Sequence, residues 1–189
     1  MSRPIPALMD EGRRIIAYLD RHRTVGLTYL STAAPLEGVS DASWEVNKST
    51  SGWCVQWQGC SIAWGSRKQP CVALSSCEAE IIALSKGAKD MVYFRKLIAG
   101  LLKSPHTAPS RLATDNQGAR DLAYNPEHHE RTKHVERRFF YVRDVVEAGE
   151  LTVPYLSTND NVADFLTKPL NAPRFFELRA KMMNKRNAT

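Results

Sequence analysis

Glu37–Ser43 reads EGVSDAS, Gly52–Gln58 reads GWCVQWQ, Ser61–Ser66 reads SIAWGS, and Ser75–Leu102 reads SSCEAEIIALSKGAKDMVYFRKLIAGLL. The first three are short segments parted by turn residues, with Gln58 and Gly59 at a tight hairpin, and they predict a three-strand meander. The fourth has helical period. At about 100° per residue, Glu80, Leu84, Gly87, Met91, Phe94 and Ile98 share one stripe, which must pack on the sheet. Downstream, Arg111–Asp115 and Leu151–Leu156 are strand-like, and residues 117–124 and 133–148 are helical. Asn161–Thr167 begins a last helix that Pro169 stops. This order of elements predicts an α/β domain with a mixed sheet. Upstream, Leu8, Gly12, Ile15 and Leu19 mark an amphipathic helix over residues 7–22, followed by a short strand over Thr24–Tyr29. The small residues and proline of Ser31–Pro35 set a boundary. Three regions are expected: an N-terminal helical segment over 1–34, the α/β domain over 35–170, and a basic helical tail over 171–189.

A chain of 189 residues that is 43% hydrophobic and 8% aromatic can bury a core, which excludes a wholly disordered or fibrous protein. No apolar run approaches the roughly 18 residues of a membrane span. Residues 1–20 carry acids and arginines where a signal peptide needs an apolar centre, so an intracellular protein without membrane contact is expected. Cys54, Cys60, Cys71 and Cys77 form no CxxC pair and are expected to be reduced thiols. The formal charge is +6, but it sits at the ends. Residues 1–33 have five basic against three acidic residues, residues 169–189 five against one, and the middle balances at sixteen of each. Bulk charge therefore does not identify a nucleic-acid protein, and particular residues must carry the argument.

Those residues are acids in costly places. Asp41 interrupts a strand, sharing a face with Val39, and a central strand seldom keeps a carboxylate without a partner. Asp115 closes the strand RLATD just before a helix start, where sites collect in open α/β sheets. Glu80 points inward along the buried stripe. Glu78 lies nearly opposite, and Ser75-x-x-Glu78 matches a capping box. Asp164 occupies the first turn of the last helix, where the macrodipole favours an acid in any case. If the sheet gathers Asp41, Glu80, Asp115 and Asp164, their repulsion calls for a pair of divalent cations. Two such ions held by oxygen ligands can activate water and stabilise the leaving oxygen of a phosphodiester.

The segments SDASWEVNKSTSGW (40–53), SIAWGSRKQPCVALSSCEAEIIALSKGAK (61–89), ATDNQGARDLA (113–123), HERTKHVERRFFYVRDVVEAGELTV (129–153) and NVADFLTKPL (161–170), in that order, resemble the ribonuclease H domain of copia-type retrotransposon polyproteins. The likeness covers roughly residues 35–170. PALMDEGRRIIAYLDRHRTVGLTY (6–29) is similar to the connection region that joins polymerase and ribonuclease H in such polyproteins. The resemblance implies a five-stranded mixed sheet, its first three strands antiparallel, flanked by helices. It implies cleavage of the RNA strand of RNA/DNA hybrids with two Mg2+ ions, for which Mn2+ can substitute, leaving 3′-hydroxyl and 5′-phosphate ends. The polymerase portion of the polyprotein is an implied partner, and the cytoplasm or a virus-like particle the implied place. Asp41 would bridge both metals, Glu80 and Asp115 would complete one site, and Asp164 the other. Glu80 is matched through the small residue three positions on, Ala83. Many cellular ribonucleases H carry a histidine before the last helix. Here that loop is Ser157–Asn161, without one, and Asp160 is a weak substitute.

Beside Asp115, Asn116 and Gln117 can hydrogen-bond a 2′-hydroxyl or a base edge. Arg131, Lys133 and His134 in HERTKH can contact phosphate or brace the fold. His128, His129 and His134 lack a cysteine pair at ligand spacing, which argues against zinc. Arg67 and Lys68 are phosphate contacts or a solvated turn, and Trp44, Trp53, Trp57 and Trp64 are expected in the core. Two other readings remain open: a non-catalytic hybrid-binding remnant, and a different nuclease on the same fold.

Overall fold

The computed structural model describes residues 5–29, 32–105, 107–124 and 136–184, and its first helix spans Pro6–Arg21 (α1). Proline suits this start because the first backbone N–H of a helix has no intrahelical acceptor. The expected strand over Thr24–Tyr29 does not form. The Thr28 N–H instead donates to the carbonyl of Met183 at 3.1 Å, so this stretch pairs with the end of the chain and not with a sheet.

Glu37–Ser43 (β1), Thr50–Trp57 (β2) and Cys60–Lys68 (β3) form the antiparallel meander. Gln58 and Gly59 turn between β2 and β3 with φ of 54° and 73°, the two-residue turn whose twist matches the strands. Ser76–Leu102 (α2) follows, then Ser110–Thr114 (β4), Gln117–Tyr124 (α3), Glu136–Glu147 (α4), Leu151–Thr152 (β5), Asp164–Thr167 (α5) and Ala172–Met182 (α6). The sheet order is β3-β2-β1-β4-β5, with β4 parallel to both β1 and β5. β1 is thus central. This is the five-stranded mixed sheet expected from the sequence.

Two elements are shorter than their sequence pattern. β5 ends at Thr152 where Leu156 was expected, because Pro154 has no N–H for the ladder. Pairing continues only as single bonds, Thr114 N–H to the Pro154 carbonyl at 3.2 Å and Leu156 N–H to the Thr114 carbonyl at 2.9 Å. The helix expected from Asn161 starts instead at Asp164 (α5), since the Asn161 side chain accepts the Ala163 N–H at 3.0 Å and holds a turn there. Residues 158–160 form a separate 3-10 turn.

Apolar residues fill both faces of the sheet. On one, Leu84, Met91 and Ile98 of α2 meet Val55, Leu112 and Val142. On the other, Val162, Leu178 and Met182 pack over Cys54 and Val39. α6 is part of this second layer. The Ser61 hydroxyl donates to the Met182 carbonyl at 2.7 Å. Tyr18 of α1 meets Phe175 of α6 edge-on and His22, which caps the end of α1, meets Phe176 at a tilt, while Leu8, Ile15 and Leu19 stay exposed. Of the tryptophans, Trp53 is buried and donates to Asp90 at 2.6 Å, and Trp57 packs against the core. Trp44, just past the end of β1, and Trp64, on edge strand β3, are exposed, contrary to expectation. None of the four cysteines is in a disulfide among the described residues.

Candidate active site

β1 and β4 run parallel, so their C-terminal ends lie side by side and carry Asp41 and Asp115 together. Asp41 is 1% exposed and faces the α5 side of the sheet. Opposite it on β2 is Gly52, where a Cβ would stand 2.6 Å from Thr167 Cγ2 and 3.1 Å from the Ala163 carbonyl. The missing side chain lets α5 lie directly on the strand. Asn161, fully buried, fastens the same segment by donating from Nδ2 to the Ser40 carbonyl at 3.0 Å. Asp164, at the start of α5, is thereby brought over β1. One oxygen each of Asp41, Asp115 and Asp164 lie within 4.8 Å of one another.

Glu80 joins from α2. Ser75 caps that helix by accepting the Glu78 N–H at 3.1 Å, and Glu78 reaches back to accept the Leu74 N–H at 2.7 Å. This is the expected capping box with the glutamate bonded one residue earlier. It also buries Glu78, which the helical stripe alone placed on the far side. Glu80, two residues on, is 6% exposed, accepts the Ala42 N–H, and has an Oε2 with no hydrogen-bond partner.

Burial, then the charges of Asp41 and Asp115, push the Glu80 carboxyl up to about 9. Asp41 is also raised, chiefly by burial, although the Thr167 hydroxyl and Lys168 oppose the rise. Lys168 was not anticipated. Its Nζ lies 2.7 Å from Asp164 Oδ1 and 3.2 Å from Asp41 Oδ1. Burial works against its charge, but the hydrogen bond and charge of Asp164, with those of Asp41, hold it above the ordinary lysine value. Thr167 donates its hydroxyl to Asp41 Oδ2. A sequence signal for the Lys168–Asp164 pair did exist in their i, i+4 spacing. Nothing in one sequence marks Asn161 or Gly52.

Asn116 uses its Oδ1 to cap α3, accepting the Ala119 N–H at 2.9 Å, so the amide nitrogen is what it can offer a ligand. Gln117 is exposed beside it. Arg131, Lys133 and His134 lie outside the described residues, as do His128 and His129. Asp160 lines a small cavity with Glu37, Gly38 and Arg111, at the opposite end of β1 from Asp41. It is not placed to replace the missing histidine. Lys68 is paired with Glu45 at 2.7 Å, while Arg67 is exposed. A cavity of about 550 Å³, lined by Pro35, Leu36, Trp57 and Ser110, lies at that same far end.

The residues present suit hard divalent cations. Three carboxylates converge, a fourth has a buried unpartnered oxygen, and an ammonium already sits as a cation between two of them. Such a cluster can hold divalent ions against a phosphodiester.

No protein-family model matches the chain. Over 187 residues, 96% of its length, it is 33% identical to the Retrovirus-related Pol polyprotein from transposon RE1 of Arabidopsis thaliana. Over 144 residues, 74% of its length, it is 36% identical to the Retrovirus-related Pol polyprotein from transposon TNT 1-94 of Nicotiana tabacum. It spans only 13% and 11% of those two proteins. A 97-residue stretch, 49% of the chain, is 38% identical to Secreted RxLR effector protein 161 of Plasmopara viticola, covering 68% of that protein. Among solved structures, LC11-RNase H1 isolated from compost superimposes with a TM-score of 0.53 at 12% identity, over 70% of this chain and 92% of that one. RNase H1 of Halobacterium salinarum gives 0.51 at 15% identity, over 71% and 95%. LC11-RNase H1 has also been solved in complex with an RNA/DNA hybrid, and that structure matches with a TM-score of 0.50 at 13% identity, over 70% and 93%. At these identities the structures establish the fold.

Proposed function

The chain belongs to the ribonuclease H domains of copia-type retrotransposon Pol polyproteins, and we propose that it cleaves the RNA strand of RNA/DNA hybrids during reverse transcription. The observation that carries this is the meeting of Asp41, Asp115 and Asp164 oxygens within 4.8 Å on this fold, with Glu80 beside them. The hybrid bound to LC11-RNase H1 supports the choice of substrate.

Asp41, Glu80 and Asp115 would hold one ion, and Asp41 with Asp164 the other. Mg2+, or Mn2+ in its place, would supply an activated water and stabilise the leaving oxygen of the phosphodiester. The chain's own contribution is orientation. Thr167 donates to Asp41 Oδ2 and fixes that carboxylate, and the α2 cap sets the position from which Glu80 enters. Asn116 and Gln117, next to Asp115, would meet the 2′-hydroxyl that separates RNA from DNA. Arg131, Lys133 and His134 would contact phosphate. In this reading the polymerase portion of a polyprotein is the partner, and the site of action is the cytoplasm or a virus-like particle. No helix among the described residues is long and apolar enough to cross a membrane.

Incubation of the purified chain with end-labelled hybrid tests the proposal. Cleavage is expected with Mg2+ or Mn2+ and not with Ca2+, whose looser coordination misplaces the attacking water. Equal cleavage of single-stranded RNA would overturn the assignment. Binding of hybrid without cleavage would make the domain a remnant, and cutting of duplex DNA alone would make it a different nuclease.

A further inference from the structure

We propose that Lys168 is the protein's own occupant of the cation position between Asp41 and Asp164, so that a divalent ion reaches that position only by displacing it. The proposal rests on the two-ion reading above and concerns how the second ion enters. The ammonium is 2.7 Å from Asp164 Oδ1 and 3.2 Å from Asp41 Oδ1, the two carboxylates that have no other cation near them among the described residues. Their side chains are 8% and 1% exposed, whereas that of Lys168 is 38% exposed. The carboxylates are therefore fixed by packing, while the lysine enters from the surface on a flexible stem and can leave the same way.

The backbone explains why it points inward at rest. Lys168 precedes Pro169, which disfavours helix at residue 168, and φ of −128° and ψ of 145° there end α5. Its N–H still donates to the Asp164 carbonyl at 3.1 Å, which keeps the side chain beside that aspartate. Once a divalent ion sits on Asp41 and Asp164, an ammonium on the same two carboxylate oxygens would face a like charge at close range. The two occupants exclude each other. Of the first position's three acids only Asp41 shares a salt bridge with Lys168, at the longer 3.2 Å, and Glu80 and Asp115 share none, so the lysine opposes the first ion less than the second.

Mn2+ binding followed by calorimetry and by paramagnetic resonance of the free ion tests this in the wild type, Lys168→Met and Lys168→Gln. The first variant keeps the stem without the charge, and the second keeps a hydrogen-bond donor without the charge. In the wild type the second ion is expected to bind more weakly than the first. In both variants the second ion should tighten about tenfold or more, and the first by clearly less. Without metal, Lys168→Met should melt below the wild type, and saturating Mn2+ should close that gap. Equal second-ion affinity in wild type and Lys168→Gln overturns the proposal and leaves the two-ion reading standing. No Mn2+ uptake by any of the three proteins overturns both.

Discussion

Two glutamates two residues apart have different tasks. Glu78 closes the cap of α2, and Glu80 has a buried unpartnered oxygen and feels the charges of Asp41 and Asp115. Helical phase told them apart in the sequence for Glu80, but it missed the burial of Glu78, because capping turns that side chain back over the helix start. Glu80→Gln is expected to abolish nearly all cleavage, an amide being a poor ligand for a hard cation, while Glu78→Gln keeps most of it and costs about 0.5–1 kcal/mol. Stability against pH gives a second, independent reading of Glu80. Without metal, its carboxyl holds a proton up to about 9 in the folded chain, against an ordinary value of 4.5. Between these values the folded state binds more protons than the unfolded one, so stability falls as pH rises from about 4.5 to 9 and levels off beyond. Asp41, also raised, adds a slope of the same sign. Urea unfolding in chelator should show this decline in the wild type, a flatter profile in Glu80→Gln, and a variant more stable than the wild type near pH 8. A wild type whose stability rises over that window would refute the assignment of Glu80 as a buried, proton-holding acid.

Among the elements, α5 decides whether there is a site at all. It is a single turn, too short to hold itself, and its place is set by Asn161 on β1 and by the bare Cα of Gly52 beneath it. Gly52→Ala should push Thr167 and Ala163 outward, lower stability by about 1–3 kcal/mol, and weaken Mn2+ binding more than the stability loss alone would. Calorimetry on the folded variant separates the two effects. Unchanged metal affinity in Gly52→Ala would show that Asp164 does not depend on this contact. The sequence indicated a helix here but drew it three residues too long, since periodicity does not register a side chain that competes with its own backbone. The same limit applies to β5, where alternation continued past a proline that ends the ladder.

At the scale of the whole molecule, α6 completes the second layer of the core. Leu178 and Met182 are buried, and its basic residues are engaged with the protein itself. Arg174 donates to the Asn159 carbonyl at 2.7 Å, Arg179 to the Tyr18 hydroxyl at 2.8 Å, and Lys181 pairs with Glu177 at 3.0 Å. A chain ending at Leu170 should therefore lose about 3 kcal/mol or more of stability, seen as a lower urea midpoint, well before any change in salt dependence of binding could be read. A truncated chain with the wild-type midpoint would show that α6 adds nothing to the core. Charge counted along the sequence put five basic residues against one acidic at this end, and it could not show where Arg174, Arg179 and Lys181 find partners.

The sequence by itself determined the sheet meander, the long helix and its inward stripe, and the identity of the acids, because periodicity, turn chemistry and capping act over a few residues. Only the tertiary structure decided that Asp41, Asp115 and Asp164 meet, that Glu80 keeps an unpartnered oxygen beside them, and that Lys168 stands between two of them. Those facts depend on residues 126 and 127 positions apart in the chain coming into hydrogen-bond contact, and on a glycine whose lack of a side chain admits a helix. Long-range proximity is set by packing two layers on one sheet, and no local pattern encodes it.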